Sequence, residues 1–484
     1  MPDCGSPTKY AVITFGCRVS QADSLGFEEE LLARGAVPAE PAAADVVIVN
    51  TCSVTATADQ GARQTIRRVA RDNPAARIVV TGCYATRRPD EIRALPNVER
   101  VVSNDDKPVL LQIVAQGSSP AIAGLKACAA PETVSTAQRF GDGEGSCGAA
   151  IEPGVAGRTA FTLRVQTGCA EPCSYCIIPT TRGTPRSVPI DGVQREVARV
   201  AAAGFKEIAL TGVHLGSYGR DLTPPVSLID LLCALEKVRL TASAKATAVK
   251  KPDATYELAQ HPAPGTEHPA PGTEHPALST QHPAPLFRIS SLEPMDCTAE
   301  IVDLVARSDR FAPHFHLPLQ HASNRMLAAM CRPYTIERYA SLVDGIRRRI
   351  PHASIGSDII VGFPGETDED FAQLCRYLER SPLTHIHVFP YSDRPGTVAA
   401  AMRDKMPGAV VRERGRRNRD IGQRLTTRFW ESQVGTTHRA LTLEDGSIAV
   451  TGNYLKVRIP SGRVRNEWVD VRIASDRGGE LLGG

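Results

Sequence analysis

Short apolar runs alternate with amphipathic stretches along most of this 484-residue chain. Between residues 8 and 115, the apolar runs predict four strands, at 10–15, 45–50, 77–81 and 101–102. Helical spacing of apolar residues predicts helices between them, at 20–33 and 58–72. Because strands that alternate with helices form parallel sheets covered on both faces, the sequence predicts an N-terminal α/β domain over residues 8–115.

The same alternation returns between residues 159 and 410. Six runs predict strands, at 161–166, 207–210, 287–290, 314–319, 355–361 and 385–390. Helical stretches follow most of these strands. Six such units predict a partial (β/α)6 barrel, since a closed barrel of this kind has eight.

Two segments break the pattern. Residues 116–158 are rich in Gly, Ala, Ser and Pro and predict a linker. Residues 240–285 contain a seven-residue His-Pro-Ala-Pro-Gly-Thr-Glu repeat, which starts at His261 and again at His268. Proline at this frequency prevents a helix, so we expect a low-complexity insertion within the second domain.

The last part of the chain, 411–484, begins with a basic stretch. Residues 411–428 contain seven arginines and two acidic residues, and the polar and apolar residues of 434–474 alternate. The alternation predicts a small antiparallel β domain. The arginines indicate either contact with RNA phosphates or a solvated helix face.

The composition and the first residues indicate the cellular compartment of the protein. No stretch approaches the roughly 20 apolar residues of a membrane span, and we expect no membrane partner. The first residues lack the pattern of a signal peptide, so we expect a cytoplasmic protein. In a reducing compartment the 13 cysteines favour metal binding or catalysis over disulfides.

Three cysteines lie in one loop after the first predicted barrel strand. Cys169, Cys173 and Cys176 have C-x3-C-x2-C spacing, which lets three thiolates surround one metal centre. A four-iron cluster held by three cysteines leaves one iron open to a cofactor. A zinc site completed by a distant fourth ligand is the alternative.

Three other cysteines each follow a predicted strand of the N-terminal domain: Cys17, Cys52 and Cys83. Parallel strands end at one edge of their sheet, so these thiols should lie at that edge, where ligand sites form. We expect them to converge on one metal cluster. Their alternative role is that of small buried apolar residues.

The cysteine loop resembles that of the radical S-adenosylmethionine family. The whole chain outside 116–158 and 240–285 resembles the methylthiotransferases of that family, and its C-terminal β domain resembles their TRAM domain. The resemblance rests on several segments, at 14–21, 50–55, 81–84, 176–183, 211–219, 290–294, 316–320 and 358–367.

This resemblance implies two [4Fe-4S] clusters and S-adenosyl-L-methionine as cofactors. Cys169, Cys173 and Cys176 would hold the first cluster, and Cys17, Cys52 and Cys83 the second. The implied cofactor contacts are Tyr175, Ser291, Glu293 and Gln320. For Tyr175 loop packing is the alternative, and for Glu293 a surface carboxylate.

The resemblance also implies an activity. The motifs around Cys17, Cys52 and Cys83 are most similar to those of enzymes that add a methylthio group at C2 of N6-threonylcarbamoyladenosine, next to the anticodon of tRNA. The implied partners are the tRNA anticodon stem–loop, an electron donor such as a flavodoxin or ferredoxin, and a sulfur donor. Isopentenyladenosine in tRNA and a ribosomal protein are alternative substrates. A noncatalytic iron–sulfur RNA-binding protein is the alternative class.

Overall fold

The computed structural model describes residues 7–115, 159–238, 284–477 and 480–483. The predicted linker 116–158 lies outside the described residues. The predicted insertion 240–285 does too, except for its last two residues.

The N-terminal part contains a five-stranded parallel sheet in the order β2-β1-β3-β4-β5. The strands are β1 (Lys9–Thr14), β2 (Val37–Pro38), β3 (Val46–Thr51), β4 (Arg77–Gly82) and β5 (Val98–Val102). Four of them were predicted from the sequence. The additional strand, β2, is a two-residue edge strand ending in a proline, a residue that sheets accept at their edges.

Helices cover both faces of this sheet. They are α1 (Arg18–Ala33), α2 (Ala56–Asp72), α3 (Cys83–Arg87), α4 (Pro89–Arg93) and α5 (Leu110–Ala115). Successive side chains of β3 point to opposite faces, so Ile48 packs with Phe27 of α1 while Val49 packs with Ile66 of α2. Both faces are therefore apolar and buried, as the sequence predicts for a doubly covered parallel sheet.

The middle part contains six parallel strands that form the predicted partial barrel. They form two three-stranded sheets, β10-β9-β6 and β11-β12-β13. The strands are β6 (Phe161–Arg164), β9 (Glu207–Thr211), β10 (Leu286–Ile289), β11 (His314–His316), β12 (Ser354–Val361) and β13 (His385–Pro390). The two sheets are joined by a bridge between Phe287 and Phe311 and by the Leu292 N–H, which donates to the His316 carbonyl at 3.0 Å. Pro313, which has no N–H to donate, directly precedes β11.

Eight helices lie among these strands in the described ranges. They are α6 (Ile178–Arg182), α7 (Ile190–Ala202), α8 (Leu228–Glu236), α9 (Ala299–Arg307), α10 (Asn324–Ala329), α11 (Ile336–Arg349), α12 (Asp368–Arg380) and α13 (Val398–Ala401). A short antiparallel pair, β7 (Gln166–Thr167) and β8 (Arg186–Ser187), flanks the cysteine loop. The main apolar core lies between the six strands and the longer helices.

The C-terminal part begins with helix α14 (Gly408–Gln433), which extends the predicted basic stretch at both ends. A closed five-stranded barrel follows, in the order β14-β15-β16-β18-β17. Its strands are β14 (Thr437–Leu443), β15 (Ile448–Thr451), β16 (Lys456–Arg458), β17 (Trp468–Arg477) and β18 (Glu480–Gly483). Four pairs are antiparallel as predicted, and the β16–β18 pair that closes the barrel is parallel.

Phe429 of α14 packs into the apolar interior of this small barrel and connects the helix to it. No helix within the described ranges has the length and apolar character needed to cross a membrane.

Candidate functional site

The loop with Cys169, Cys173 and Cys176 is folded tightly between β7 and α6. Gly168 begins it with φ of +76°, and a Cβ there would overlap the carbonyl oxygen of Thr184, so only glycine fits. The Cys169 N–H donates to the Gly183 carbonyl at 3.0 Å, and that of Cys176 donates to the Cys173 carbonyl at 3.1 Å. The three thiols lie close enough to interact electrostatically.

Burial favours the protonated form of two thiols of this loop. It raises the pKa of Cys169 to about 11 and that of Cys176 to about 12, although a backbone N–H donates toward each sulfur. Burial also raises the pKa of Cys173, but Arg332 opposes it by donating to the Cys173 sulfur at 3.2 Å. A cation that replaces these protons would be held by three converging thiolates.

Arg332 connects the cysteine loop to Glu293. One of its nitrogens contacts Cys173 and another forms an ion pair with the Glu293 carboxylate. The Arg332 side chain is 3% exposed, so this interaction is shielded from water. Tyr175, from the same loop, packs against a cluster that includes Met330 and Phe363. Glu293 and Tyr175, two of the four predicted cofactor contacts, therefore lie at this centre.

The other two predicted contacts are placed by strand position. Ser291 lies two residues beyond the end of β10, and Gln320 lies beyond β11 at the same end of the strands. The backbone of Gln320 has φ of +68°; its N–H donates to Asp358 and its carbonyl accepts from Ile360. Within the described ranges, no hydrogen bond joins the side chain of Ser291 or Gln320 to the cysteine loop.

The second cysteine set lies at the carboxyl edge of the N-terminal sheet. Cys52 and Cys83 directly follow β3 and β4, and Cys17 lies three residues beyond the end of β1. Gly16 has φ of +100°, and a Cβ there would lie 2.8 Å from the Cys52 sulfur, so the chain bearing Cys17 approaches Cys52 closely. The Cys52 thiol interacts electrostatically with those of Cys83 and Cys17. The strand order thus brings together cysteines that are distant in sequence.

Two thiols of this set differ in their electrostatic environment. Burial raises the pKa of Cys52 to about 12. Burial would also raise that of Cys83, but Arg182 and Lys107 outweigh it and lower the pKa. The Asn104 amide nitrogen lies 3.7 Å from the Cys83 sulfur and adds a hydrogen bond. Of these two thiols, Cys83 is therefore the more readily held as a thiolate.

A buried charge cluster lies beside Cys83 and joins two parts of the chain. The Asp23 carboxylate from α1 contacts the Lys107 ammonium at 2.6 Å and the Arg182 guanidinium at 3.4 Å, and it also pairs with Arg164. Asp23 is 0% exposed. These cations hold its pKa below the ordinary range even though burial acts in the opposite direction. Since Asp23 and Lys107 precede the linker while Arg164 and Arg182 follow it, this cluster fixes the second cysteine set against the partial barrel.

Sequence reasoning missed Arg332, Asp23 and Lys107. Arg332 is 159 residues from the cysteine that it contacts, and Lys107 is 84 residues from Asp23. No periodicity or spacing in one sequence relates residues so far apart. The available signal was Asp23 itself, a charged residue on the face of α1 that also carries Val19, Phe27 and Leu31.

The basic helix divides into buried and exposed arginines. Arg414 is buried, where it pairs with Glu366 and Asp368, so it stabilises the fold and is not free for phosphate. The other six arginines of the basic stretch are exposed, at 412, 416, 417, 419, 424 and 428. In the adjoining barrel, Arg439 lies over the ring of Trp468 at 4.2 Å. These exposed groups form a basic surface along α14 and the small barrel.

The small barrel contacts both other parts of the chain through the loop after β15. Arg288 of β10 donates to the Gly452 carbonyl at 2.9 Å. Arg18, adjacent to Cys17, donates to the Tyr454 hydroxyl at 3.1 Å. The basic surface is therefore held in a defined position relative to the second cysteine set.

Two protein-family models match the two parts of the chain that carry the cysteine sets. A model described as Uncharacterized protein family UPF0004 matches residues 9–103, and one described as Radical SAM superfamily matches residues 163–378. The threonylcarbamoyladenosine tRNA methylthiotransferase MtaB of Aquifex aeolicus is 34% identical, over 93% of this chain and 96% of that protein. Its namesake from Bacillus subtilis is 32% identical, over 86% and 82%.

A second group of relatives has a different name. The tRNA-2-methylthio-N(6)-dimethylallyladenosine synthase of Carboxydothermus hydrogenoformans is 29% identical, over 89% of this chain and 87% of that protein. Among solved structures, the radical S-adenosylmethionine methyltransferase TsrM from Kitasatospora setae superposes with a TM-score of 0.51 and 15% identity, over 82% of this chain and 77% of that one. The last comparison relates the folds alone.

Proposed function

Because this chain belongs to the radical S-adenosylmethionine methylthiotransferase family, we propose that it adds a methylthio group to C2 of N6-threonylcarbamoyladenosine in tRNA, next to the anticodon. The chain is a radical S-adenosylmethionine enzyme that uses iron–sulfur clusters. The observation that carries the proposal is the presence of two separate three-thiol sets, each in contact with a buried arginine. The relatives named for threonylcarbamoyladenosine support this substrate.

The first cluster fits the cysteine loop. Cys169, Cys173 and Cys176 would hold it, and Tyr175, Ser291, Glu293 and Gln320 would bind S-adenosylmethionine. An anionic cluster fits here because the three thiols converge and a buried cation lies beside one sulfur. The loop that carries them is tight enough that only glycine can begin it. When bound, the cluster and S-adenosylmethionine supply the radical that takes hydrogen from an unreactive C–H bond.

The second cluster fits the sheet edge. Cys17, Cys52 and Cys83 would hold it, with Arg182 and Lys107 stabilising negative charge at Cys83. A side chain at Gly16 would occupy the space beside the Cys52 sulfur. The Asp23 cluster then keeps this edge oriented toward the partial barrel, so that sulfur would be presented at a fixed position.

The remaining residues of the first centre position its parts. Arg332 holds Cys173 and Glu293 together, and Tyr334 fixes Arg332 because its hydroxyl accepts from the guanidinium at 3.1 Å. The packed side chains of Met330, Phe363 and Tyr175 exclude water from one side of the centre. A dry, oriented site is what the protein contributes to cofactor chemistry.

The tRNA anticodon stem–loop would contact the basic surface of α14 and the small barrel. Exposed arginines can neutralise phosphates, and Trp468 under Arg439 offers a stacking group.

An electron donor such as a flavodoxin or ferredoxin and a separate sulfur donor complete the proposed partners. The proposed location is the cytoplasm. We further propose the division into 8–115, 159–410 and 411–484, with 116–158 as linker and 240–285 as insertion.

Anaerobic reconstitution tests this function. The protein with about eight irons per chain, dithionite and S-adenosylmethionine should form 5′-deoxyadenosine and methylthiolate a tRNA that carries threonylcarbamoyladenosine. A tRNA that carries isopentenyladenosine is the matched competitor, since other relatives are named for that nucleoside class. Preference for the competitor would reassign the substrate. Absence of 5′-deoxyadenosine would favour a noncatalytic iron–sulfur RNA-binding protein.

A further inference from the structure

One face of the second three-stranded sheet carries a group of histidines that includes none of the six cysteines of the two sets. The register pairs His316 of β11 with Gly356 of β12, and Gly356 with His385 of β13. Two residues further along, Asp358 pairs with His387. Paired residues of parallel strands share a face, so three imidazoles and a carboxylate lie together on this face. The intervening residues Ile355 and Ile359 point into the main core.

The imidazole nitrogens converge. One ring nitrogen from each of His316, His385 and His387 lies within 4.8 Å of the others. His316 and His385 are partly buried, while His387 is exposed. The group is thus fixed on one side and accessible on the other.

Two of these rings have their other nitrogen held by a neighbour. Nε2 of His316 lies 3.1 Å from an Asp358 carboxylate oxygen, which leaves Nδ1 free to ligate. Nδ1 of His385 lies 2.9 Å from the Thr384 hydroxyl, which leaves Nε2 free. Histidines that bind metals are oriented in this way, by a carboxylate or another polar partner on the opposite nitrogen.

Gly356 provides the space between these two nitrogens. A Cβ there would overlap Nε2 of His385 and would lie 3.0 Å from Nδ1 of His316. The nitrogens left free by Asp358 and Thr384 are therefore the ones that face a common point above Gly356. Simple stacking of histidines would not require the free nitrogens to point to one place.

From this convergence we propose that His316, His385 and His387 bind a divalent first-row transition metal ion, with zinc as the reference ion. Imidazole suits such ions, whereas calcium and magnesium prefer oxygen ligands. Three histidines leave a coordination position open on the exposed side of His387, where an oxygen ligand can complete a tetrahedral site. The site needs none of the six cysteines assigned to the clusters, so it does not depend on the proposed function.

Zinc X-ray absorption on the holoenzyme tests this site, because zinc bound to leftover thiolates would otherwise mimic it. Protein with both clusters loaded is given one equivalent of zinc and desalted. We expect one zinc per chain with only nitrogen and oxygen neighbours at about 2.0–2.1 Å. Sulfur at about 2.3 Å would place the zinc at cysteines and overturn the proposal.

Matched variants then assign the ligands. His385→Gln and His387→Gln should abolish zinc retention, and Asp358→Asn should weaken zinc binding about 10–100-fold, while the iron content of each stays at about eight per chain. His438→Gln is the control. His438 lies in β14 of the small barrel, is partly buried beside the ring of His352, and does not belong to this group. Equal zinc retention in the control and in the two ligand variants would refute the proposal. If those two variants lose iron through misfolding, the sulfur-free absorption spectrum of the unaltered holoenzyme decides alone.

Discussion

The buried charge cluster around Asp23 gives the sharpest stability prediction. Asp23→Asn keeps the shape of the side chain but removes the carboxylate that faces Lys107, Arg164 and Arg182. Lys107 and Arg182 are each 3% exposed, so water does not replace the lost charge. The variant leaves buried cations without this counterion.

The expected cost is large for one substitution. Removing one member of a buried ion pair costs about 3–5 kcal/mol because the remaining charge stays desolvated. For domains of this size, 1 kcal/mol corresponds to about 2–4 °C in melting temperature. We therefore expect the melting temperature of Asp23→Asn to fall by roughly 10 °C.

Differential scanning fluorimetry under anaerobic conditions measures this change. Asp72→Asn is the control, because Asp72 pairs with Arg71 at the surface, where such pairs contribute about 0–1 kcal/mol. Adding Lys107→Met to Asp23→Asn should recover part of the loss by removing one buried cation. A melting temperature of Asp23→Asn within about 1 °C of the control would show that the Asp23 carboxylate does not stabilise the folded protein through the buried cations.

Three further predictions concern the cysteine sets and the contact between α1 and α7. Arg332→Met should slow cleavage of S-adenosylmethionine by about tenfold or more, because it removes a charged hydrogen bond worth about 1.5–3 kcal/mol. Arg338→Met is the control, since Arg338 is exposed. Equal cleavage rates in the two variants would contradict the positioning role of Arg332. Cys83→Ala should lower the iron content from about eight to about four per chain. The variant should still form 5′-deoxyadenosine but should not methylthiolate tRNA. Methylthiolated product from this variant would refute the second-cluster assignment. Burial raises the folded-state pKa of Glu29 from 4.5 to about 7, although Arg199 opposes this shift. The wild type should therefore lose stability as the pH rises from 4.5 to 7, because Glu29 must then ionise in a buried place. Glu29→Gln should not show this loss. The variant should melt higher than the wild type above pH 7 and similarly near pH 4.5; a difference that does not change with pH would contradict this.

Much of the architecture follows from periodicity in the sequence. The β3 segment is a run of apolar residues because both of its faces are buried, so the position of this strand could be predicted from the sequence. Cys52 follows that run, and strand polarity alone places it at the same edge as Cys83. The small barrel was predicted from alternation, but its parallel β16–β18 closure depends on register, which alternation does not encode.

The partners of the cysteines could not be predicted in the same way. Arg332 and Cys173 meet only after the partial barrel forms, and the histidines meet because β11, β12 and β13 are neighbours in a particular register. Arg414 shows the opposite case. Its place in a basic stretch predicted contact with phosphates or a solvated helix face, but Arg414 is buried and pairs with Glu366 and Asp368. Local patterns specify elements, whereas pairing between distant charges is set by tertiary packing.

The activity proposed for this chain is methylthiolation of threonylcarbamoyladenosine in tRNA. Mass spectrometry of tRNA nucleosides tests it in a host that lacks every other enzyme of this family. Expression of the unaltered chain should convert threonylcarbamoyladenosine to its 2-methylthio form, and Cys17→Ala should not. If the unaltered chain is expressed with both clusters and threonylcarbamoyladenosine remains unconverted, the chain does not have the proposed activity.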